Sequence, residues 1–255
     1  MTARRAAVLL AAAILTAAAP AAPPPAAIPY SRMDLPWWKA RFQEKAEAMR
    51  HGPIDLVFYG DSITQDWEKS GPEPWRDFAP IWQHYYGNRH ALNLGFKGDA
   101  TAHLLWRLLH GEADTIHPKA AIVLIGANNF GHLHWPAEPT FRGIERIVDT
   151  IHQKLPATRV LLIGVLPSIR SPWVDANTAQ LNALLRQRYA DGRDATFLDL
   201  SRLFLTNGHI DPAKFLDPKL VPPDPPLHPS AQTQAQMAAA MEPWVSSVLG
   251  DKPRS

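Results

Sequence analysis

Five short apolar runs recur along the chain, separated by stretches in which apolar and polar residues follow a helical spacing. The runs cover residues 54–60, 90–96, 120–126, 159–165 and 195–200. Runs this short and this continuously apolar are typical of parallel strands that are covered on both faces. The helical stretches cover residues 35–50, 100–111, 140–154, 174–190 and 230–248. This alternation predicts one doubly wound α/β domain with a five-stranded parallel sheet.

Polar residues follow the first three apolar runs directly. They are Gly60, Asp61 and Ser62 after the first run, Lys97, Gly98 and Asp99 after the second, and Gly126, Asn128 and Asn129 after the third. Ligands of open α/β sheets bind beyond the carboxyl ends of the strands. We therefore expect all three sets to meet at one rim of the sheet.

Ser62 has two interpretations, a catalytic nucleophile or the N-cap of the helix that follows. A serine becomes a useful nucleophile only beside a base, and His228 lies in a proline-rich loop with Asp224 four residues before it. Acyl transfer also needs donors for an oxyanion. The backbone N–H groups of Ser62 and Gly98 and the side-chain amide of Asn128 are the candidates.

Other polar and aromatic residues are not expected to take part directly in catalysis. The segment "HLHW" at 132–135 has no third ligand at metal-binding spacing, and we predict no metal. Asp61 and Asp99 are expected to accept backbone N–H groups in tight turns rather than to act chemically. Trp135 and Trp173 are candidates for walls of a pocket, which would suit a sugar face or an acyl chain equally well.

The first residues have the layout of a secretory signal peptide. Arg4 and Arg5 precede an apolar stretch that ends at Pro20, which is shorter than the roughly 20 residues of a membrane-spanning helix. We predict a signal peptide at 1–22, a proline-rich linker at 23–34 and a catalytic domain at 35–248. This organisation predicts a periplasmic or secreted protein without a transmembrane span in the mature chain.

Composition narrows the classes of function. Without Arg4 and Arg5 the chain has 24 basic and 24 acidic residues, so a nucleic-acid partner has no electrostatic support. The sequence contains no cysteine, which excludes a thiol nucleophile, a thiolate metal site and disulfides.

Four ordered motifs resemble the signature blocks of the SGNH or GDSL hydrolases. They are "GDSIT" at 60–64, "NLGFKGD" at 93–99, "GANN" at 126–129 and "DPPLHPS" at 224–230. Within that family, "ALNLGFKGDATAHLLWRLLHGE" at 91–112 resembles the catalytic subunits of platelet-activating-factor acetylhydrolase and bacterial esterases like them.

The resemblance implies a three-layer, flavodoxin-like fold with strand order 2-1-3-4-5, no metal or cofactor, and hydrolysis of acyl esters through an acyl-enzyme. It implies that Ser62 is the nucleophile, that His228 is the base, and that Ser62, Gly98 and Asn128 form the oxyanion hole. The family places its acid three residues before the histidine, where this chain has Pro225. We expect Asp224 to be the acid; Asp217, or a Ser-His dyad without an acid, are the alternatives.

The function predicted from these residues is that of an exported esterase acting on acetyl or other short acyl esters, with small-molecule or polysaccharide substrates. Two alternatives stay open. An acyltransferase would use the same acyl-enzyme with a sugar hydroxyl in place of water. A non-catalytic carbohydrate-binding protein would keep the fold with an altered acid loop.

Overall fold

A five-stranded parallel sheet forms the centre of the protein. The computed structural model describes residues 22–255, so the predicted signal peptide at 1–22 lies outside the described residues except for Ala22. The strands are β1 Leu56–Gly60, β2 Ala91–Gly95, β3 Ala120–Leu124, β4 Arg159–Ile163 and β5 Thr196–Leu198. Their spatial order is β2-β1-β3-β4-β5. The predicted α/β class and the implied strand order are confirmed.

Helices cover both faces of this sheet. They are α1 Pro36–Ala48, α2 Ser62–Gln65, α3 Phe78–Tyr86, α4 Thr101–Arg107, α5 Ala127–Gly131, α6 Ala137–Lys154, α7 Pro172–Arg188 and α8 Ala231–Leu249. Helix α3 packs against α8, while α4 and α7 pack against α6. Every residue of β1 and β3 is buried, which is why these strands read as continuously apolar. Two short strands, β6 Leu205–Thr206 and β7 His209–Ile210, form a separate hairpin.

Residues 23–34, expected to be a linker, pack along the domain. Pro25–Ala27 form a 3₁₀ helix in which Ala26 is completely buried. The Ala26 carbonyl accepts a hydrogen bond from the Thr101 hydroxyl at 2.8 Å, and Tyr30 N–H donates to the Ala102 carbonyl at 3.0 Å. The segment thus crosses the start of α4 and leads Arg32 toward the rim of the sheet. Within residues 22–255 no helix combines the length and the apolarity needed to cross a membrane.

The ends of β1 and β2 lie close beneath α2, and this contact positions the rim. A Cβ on Gly95 would collide with the backbone of Thr64 and Gln65, so only glycine allows the helix to approach β2 this closely. The Asn93 amide donates to the Thr64 carbonyl at 2.7 Å. Helix α2 is therefore fixed where the turns after β1 and β2 meet.

Candidate active site

Ser62 is the first residue of α2, directly beyond the carboxyl end of β1. The N-cap of this helix is Asp61, whose Oδ1 accepts the Ile63 N–H at 2.9 Å. The interpretation of Ser62 as the cap is therefore wrong, and its hydroxyl is not used in capping. Ser62 is 8% exposed, so its oxygen lies in a sheltered position at the base of a surface cavity.

His228 lies against Ser62 from the opposite end of the chain. Its Nε2 is 3.0 Å from Ser62 Oγ, which is hydrogen-bond distance for a base and a nucleophile. The structure therefore brings together the two residues that the sequence predicted as nucleophile and base. Their separation in sequence is 166 residues.

Asp217 occupies the remaining side of the histidine ring. Its Oδ1 is 2.6 Å from His228 Nδ1. Its Oδ2 accepts the N–H groups of Leu227 at 2.8 Å and His228 at 2.6 Å. This carboxylate therefore fixes the ring and the backbone that carries the ring, which leaves Nε2 directed at Ser62.

The expectation that Asp224 contacts His228 is wrong. The Asp224 side chain is exposed and lines the same cavity, but the position at Nδ1 belongs to Asp217. Asp224 contributes its backbone N–H, which donates to the Asp217 carbonyl at 3.1 Å. The alternative that named Asp217 agrees with the structure.

The geometry of the loop explains why Asp217, and not Asp224, contacts His228. Residues 214–217 run antiparallel to residues 227–230, with Leu216 N–H donating to the His228 carbonyl at 2.8 Å and Ser230 N–H to the Lys214 carbonyl at 2.9 Å. Phe215, which is completely buried, forms the bridge opposite Pro229. This pairing places Asp217 beside His228, while the intervening residues loop away to the surface.

The pKa values of the pair follow from their mutual contact. Burial alone would raise the pKa of Asp217, but the His228 ring and the two backbone N–H groups lower it below its ordinary value. Burial alone would lower the pKa of His228, but Asp217, together with the charges of Asp66 and Asp61, raises it above its ordinary value. The contact therefore stabilises an ionised carboxylate and a protonated imidazole.

The oxyanion candidates also lie at this rim. Gly98 has φ +74°, a left-handed conformation that glycine adopts without strain. Asn128, which is buried, donates from Nδ2 to the Asp99 carbonyl at 2.9 Å and more weakly to Asp61 Oδ2 at 3.4 Å. Asn128 therefore connects the turn after β1 to the turn after β2, as the convergence of the three apolar runs predicted.

Comparison with known proteins agrees with this arrangement. The model of the GDSL-like Lipase/Acylhydrolase family matches residues 58–236. The chain belongs to this family. The match includes both turns at the rim and the loop that carries Asp217 and His228.

Individual relatives agree with this family assignment. The chain is 37% identical over 146 residues to platelet-activating factor acetylhydrolase IB subunit alpha1 of Homo sapiens, covering 57% of this chain and 58% of that protein. It is 31% identical over 184 residues to the alpha2 subunit of Gallus gallus, covering 71% and 75%. Among solved structures, a carbohydrate acetylesterase from Sinorhizobium meliloti aligns with TM-score 0.57 and 17% identity, covering 76% of this chain and 99% of that chain. The last likeness concerns the fold alone.

The two aspartates expected to be structural differ in their partners. Asp61 accepts a backbone N–H as expected, and its complete burial raises its pKa to about 7. Asp99 instead accepts side-chain donors, from Trp38 Nε1 at 2.8 Å, Arg32 Nη1 at 3.1 Å and Arg107 Nε at 2.9 Å. Asp99 is therefore the centre of a buried ion cluster rather than an ordinary turn residue.

Sequence reasoning missed this cluster. Arg107 is completely buried and also contacts Glu112, while its other donors reach the carbonyls of Leu94 at 3.1 Å and Gly60 at 3.2 Å. The available signal was a charged residue inside the apolar stretch "LLWRLL" at 104–109. A charge in such a stretch requires a buried partner.

Two cavities open at the rim of this GDSL-family site. The triad cavity, of about 570 Å³, is lined by Ser62, Asp217 and His228 together with Trp75, Leu220 and several charged residues. The Gly98 cavity, of about 650 Å³, is lined by Arg32, Trp37, Gly98, His103 and His132, and Lys97 borders both cavities.

The tryptophans predicted as pocket walls lie further out. Trp135 lines an apolar cavity of about 350 Å³, which shares His103 and Leu133 with the Gly98 cavity. Trp173 is 39% exposed and packs beside Phe130 and His134. Trp135 thus borders a pocket as expected, whereas Trp173 is an exposed residue beside α5.

Proposed function

We propose that this protein is an exported serine esterase that hydrolyses acetyl and other short acyl esters through an acyl-enzyme on Ser62. The observation that carries the proposal is the continuous contact from Ser62 Oγ to His228 Nε2 at 3.0 Å and from His228 Nδ1 to Asp217 Oδ1 at 2.6 Å. A nucleophile, a base and an orienting acid in this order are the requirements for acyl transfer at a serine.

In the first half-reaction, Ser62 Oγ attacks the ester carbonyl carbon and its proton moves to His228 Nε2. Asp217 remains ionised and stabilises the imidazolium that forms. When the tetrahedral intermediate collapses, the bond between the carbonyl carbon and the alcohol oxygen breaks and His228 gives the proton to the departing alcohol oxygen. In the second half-reaction, water gives a proton to His228 and attacks the carbonyl carbon of the acyl-enzyme. The bond between that carbon and Ser62 Oγ then breaks, His228 returns the proton to Ser62 Oγ, and the carboxylic acid is released.

The negative charge on the carbonyl oxygen requires fixed donors. Ser62 N–H, Gly98 N–H and the Asn128 amide are the proposed donors. Of the two hydrogen bonds that Asn128 Nδ2 makes, the 3.4 Å contact with Asp61 is much longer than the 2.9 Å contact with the Asp99 carbonyl. The long contact is the one that an oxyanion can replace without moving the turn.

A short acyl group is supported by how the site is closed. Beyond Asn128, the loop after β4 binds the His228 loop, with Ile169 N–H donating to the Pro226 carbonyl at 3.3 Å. Arg170 Nη2 donates to the Ala127 carbonyl at 2.9 Å. The triad cavity and the Gly98 cavity both include Lys97 in their lining, and neither includes Ile169 or Arg170. We assign the small acyl group to the closed side and the larger alcohol to the open side.

The printed names of the relatives support an acetyl ester. Two are platelet-activating factor acetylhydrolase subunits, and one structural neighbour is a carbohydrate acetylesterase. Export is supported by the signal-peptide layout of residues 1–22. An exported acetylesterase would act on acetylated carbohydrates outside the cytoplasm.

A fluorophosphonate probe and p-nitrophenyl acetate test the proposal together. We expect the probe to label Ser62, as mapped by peptide mass spectrometry, and wild-type protein to release nitrophenol. Ser62→Ala should lose both properties while its circular dichroism spectrum stays unchanged. Because loss of a triad nucleophile costs orders of magnitude in kcat, retention of more than about a tenth of the activity would contradict the assignment.

The same experiment separates the alternatives. Labelling without hydrolysis, followed by transfer of acetyl to an added oligosaccharide, would identify an acyltransferase. Absence of labelling and of hydrolysis would favour a carbohydrate-binding protein. The complete contact among Ser62, His228 and Asp217 favours hydrolysis over that last outcome.

A further inference from the structure

The Gly98 cavity has an unusual balance of charge for its position. Arg32 and Lys97 line it, and no aspartate or glutamate does. The adjoining triad cavity is lined by four carboxylates, Asp66, Glu68, Asp217 and Asp224, and by two lysines, Lys69 and Lys97. The two openings at the rim therefore differ in sign, basic beside Gly98 and acidic beside His228.

Arg32 is held in a fixed orientation over Gly98. Its Nη1 donates to the Lys97 carbonyl at 3.0 Å and to Asp99 Oδ1 at 3.1 Å. A Cβ on Gly98 would lie 3.1 Å from Nη1 and 3.3 Å from Nη2. Within residues 22–255, Nε and Nη2 of Arg32 make no protein hydrogen bond, so two donor groups of a preorganised fork remain for a ligand.

The buried cluster beneath offsets the charge of Arg32 in part, since Asp99 pairs with it at 3.1 Å, but not the charge of Lys97. Asp99 and Glu112 balance Arg32 and Arg107 in number, but both carboxylates are completely buried. Arg32 is the member of the cluster that is partly exposed and that lines the cavity. Lys97 is exposed and has no carboxylate within 4.0 Å in the described part of the chain.

His103 and Trp37 complete the wall. His103 Nδ1 accepts the Ala100 N–H at 2.9 Å, so the ring proton is on Nε2. Burial, assisted by the charges of Arg32 and Arg107, lowers the pKa of His103 to about 4, which keeps the ring neutral. The Trp37 ring is 43% exposed, and the Arg32 guanidinium lies 5.2 Å from its centre. An aromatic face beside charged and neutral donors is typical of sites for polar rings.

We propose that the Gly98 cavity binds a sugar ring bearing a carboxylate, so that the substrate is an O-acetylated hexuronate or a glycan that contains one. The inference rests on the proposed esterase function and names its substrate class. The Arg32 fork matches a carboxylate, which accepts two parallel N–H groups, and Lys97 adds a second positive charge. The ring packs on Trp37, and its acetyl ester reaches Ser62 past Gly98.

Selectivity between two matched substrates tests the inference. Acetate release is measured from mono-O-acetylated methyl glucuronide and from the equally acetylated methyl glucoside, which differs only in lacking the carboxylate. We expect wild-type kcat/KM to favour the glucuronide by about tenfold or more, the usual size of a hydrogen bond to a charged group. The preference should shrink as NaCl is raised, because salt screens a partly exposed charge.

Variants are compared by the ratio of kcat/KM for the glucuronide to kcat/KM for the glucoside. A substitution that damages the site in general lowers both values and leaves this ratio unchanged. Lys97→Met and Arg32→Gln should each reduce the preference, and the double variant should bring the ratio close to one. Lys119→Met is the matched control, because it removes one lysine charge at the amino end of β3, opposite the rim, where Lys119 pairs with Asp55 at 3.1 Å. That variant should keep the wild-type ratio.

Binding to Ser62→Ala protein gives a readout that does not depend on turnover. We expect methyl glucuronide to bind more tightly than methyl glucoside in calorimetry, Arg32→Gln to reduce the difference, and Arg32→Gln combined with Lys97→Met to abolish it. Equal binding of the two sugars would overturn the inference, as would a preference for methyl glucoside 6-phosphate over the glucuronide. If p-nitrophenyl acetate is hydrolysed normally but the ratio is one, the subsite is wrong and the esterase function stands. If no ester is hydrolysed but the glucuronide still binds selectively, the subsite stands and the esterase function is wrong.

Discussion

Two groups of charged side chains lie near the rim of the sheet that carries Ser62, and each pairs a carboxylate with a basic side chain. In the loop pair, Asp217 contacts His228 at 2.6 Å in a cavity open to solvent. In the buried cluster, Asp99 contacts Arg107 at 2.9 Å and both side chains are completely buried. Histidine can gain and lose a proton near neutral pH, whereas arginine remains charged.

This difference decides what each group can do. In the proposed mechanism, the loop pair stores a proton during acyl transfer and returns it, because histidine titrates near neutral pH and the pair lines an open cavity. The buried cluster can only hold its charges in place, and it does so at the ends of β1 and β2, where Arg107 also contacts the carbonyls of Gly60 and Leu94. The same pairing of charges thus serves chemistry in one place and architecture in the other.

The largest expected effect is on the loop pair. Asp217→Asn removes the charge that stabilises the imidazolium and favours the wrong tautomer, a change that costs about four orders of magnitude in a serine-protease triad. We expect kcat for p-nitrophenyl acetate to fall by at least about a hundredfold at neutral pH. Asp224→Asn, in the same loop, is the control and should be close to wild type. Equal losses in the two variants, or a silent Asp217→Asn, would contradict the assignment of the acid.

The second effect concerns the buried cluster. Arg107→Met leaves Asp99 and Glu112 without their shared partner, and breaking a buried ion pair in this way costs about 3–5 kcal/mol. We expect the free energy of unfolding in urea to fall by that amount. Arg142→Met is the control, since Arg142 also contacts two carboxylates, Glu138 at 2.9 Å and Glu145 at 2.8 Å, but is 52% exposed. Equal destabilisation by both variants would mean that burial is not the reason.

A smaller effect appears in the pH dependence. Attack by Ser62 requires neutral His228, and Asp217 raises the pKa of that ring. Activity is therefore lost as pH falls through a pKa above the ordinary value of 6.5. In Asp217→Asn, the acidic limb of the residual kcat/KM should move to lower pH. Asp61→Asn should move it less, because the charge of Asp61 is the smallest of the contributions that raise the pKa. An unmoved limb in Asp217→Asn would show that another group controls it.

The smallest expected effect is the change of kcat/KM with the length of the acyl chain. The acyl group is assigned to the side of the site that is closed by the contact between Ile169 N–H and the Pro226 carbonyl, so a longer acyl chain gains little from burial there. We expect kcat/KM for p-nitrophenyl esters to decline from acetate to octanoate. A long apolar groove would instead add about 0.8 kcal/mol for each buried CH₂. An optimum at octanoate that Trp135→Ala removes would place the chain in the apolar cavity beside His103.

The sequence by itself determined the sheet and most of the rim. Continuous apolar runs require burial on both faces, and their order along the chain makes the turns after β1, β2 and β3 converge. Ser62, Gly98 and Asn128 were predicted as candidates in this way, since each lies in the turn after a strand. His228 was found because its loop precedes the last helix and matches a known motif. The short helix α3 was missed, because its nine residues include Pro80.

Tertiary structure alone decided the acid and the basic cavity. Asp217 lies 11 residues before His228, and nothing local relates them; the antiparallel pairing of residues 214–217 with 227–230 brings them together. Arg32 reaches Asp99 from 67 residues away, because residues 23–34 fold back along α4 instead of extending as a linker. The spacing of apolar residues along the sequence indicates which face of an element is buried. These contacts instead depend on where separate segments of the chain meet in space.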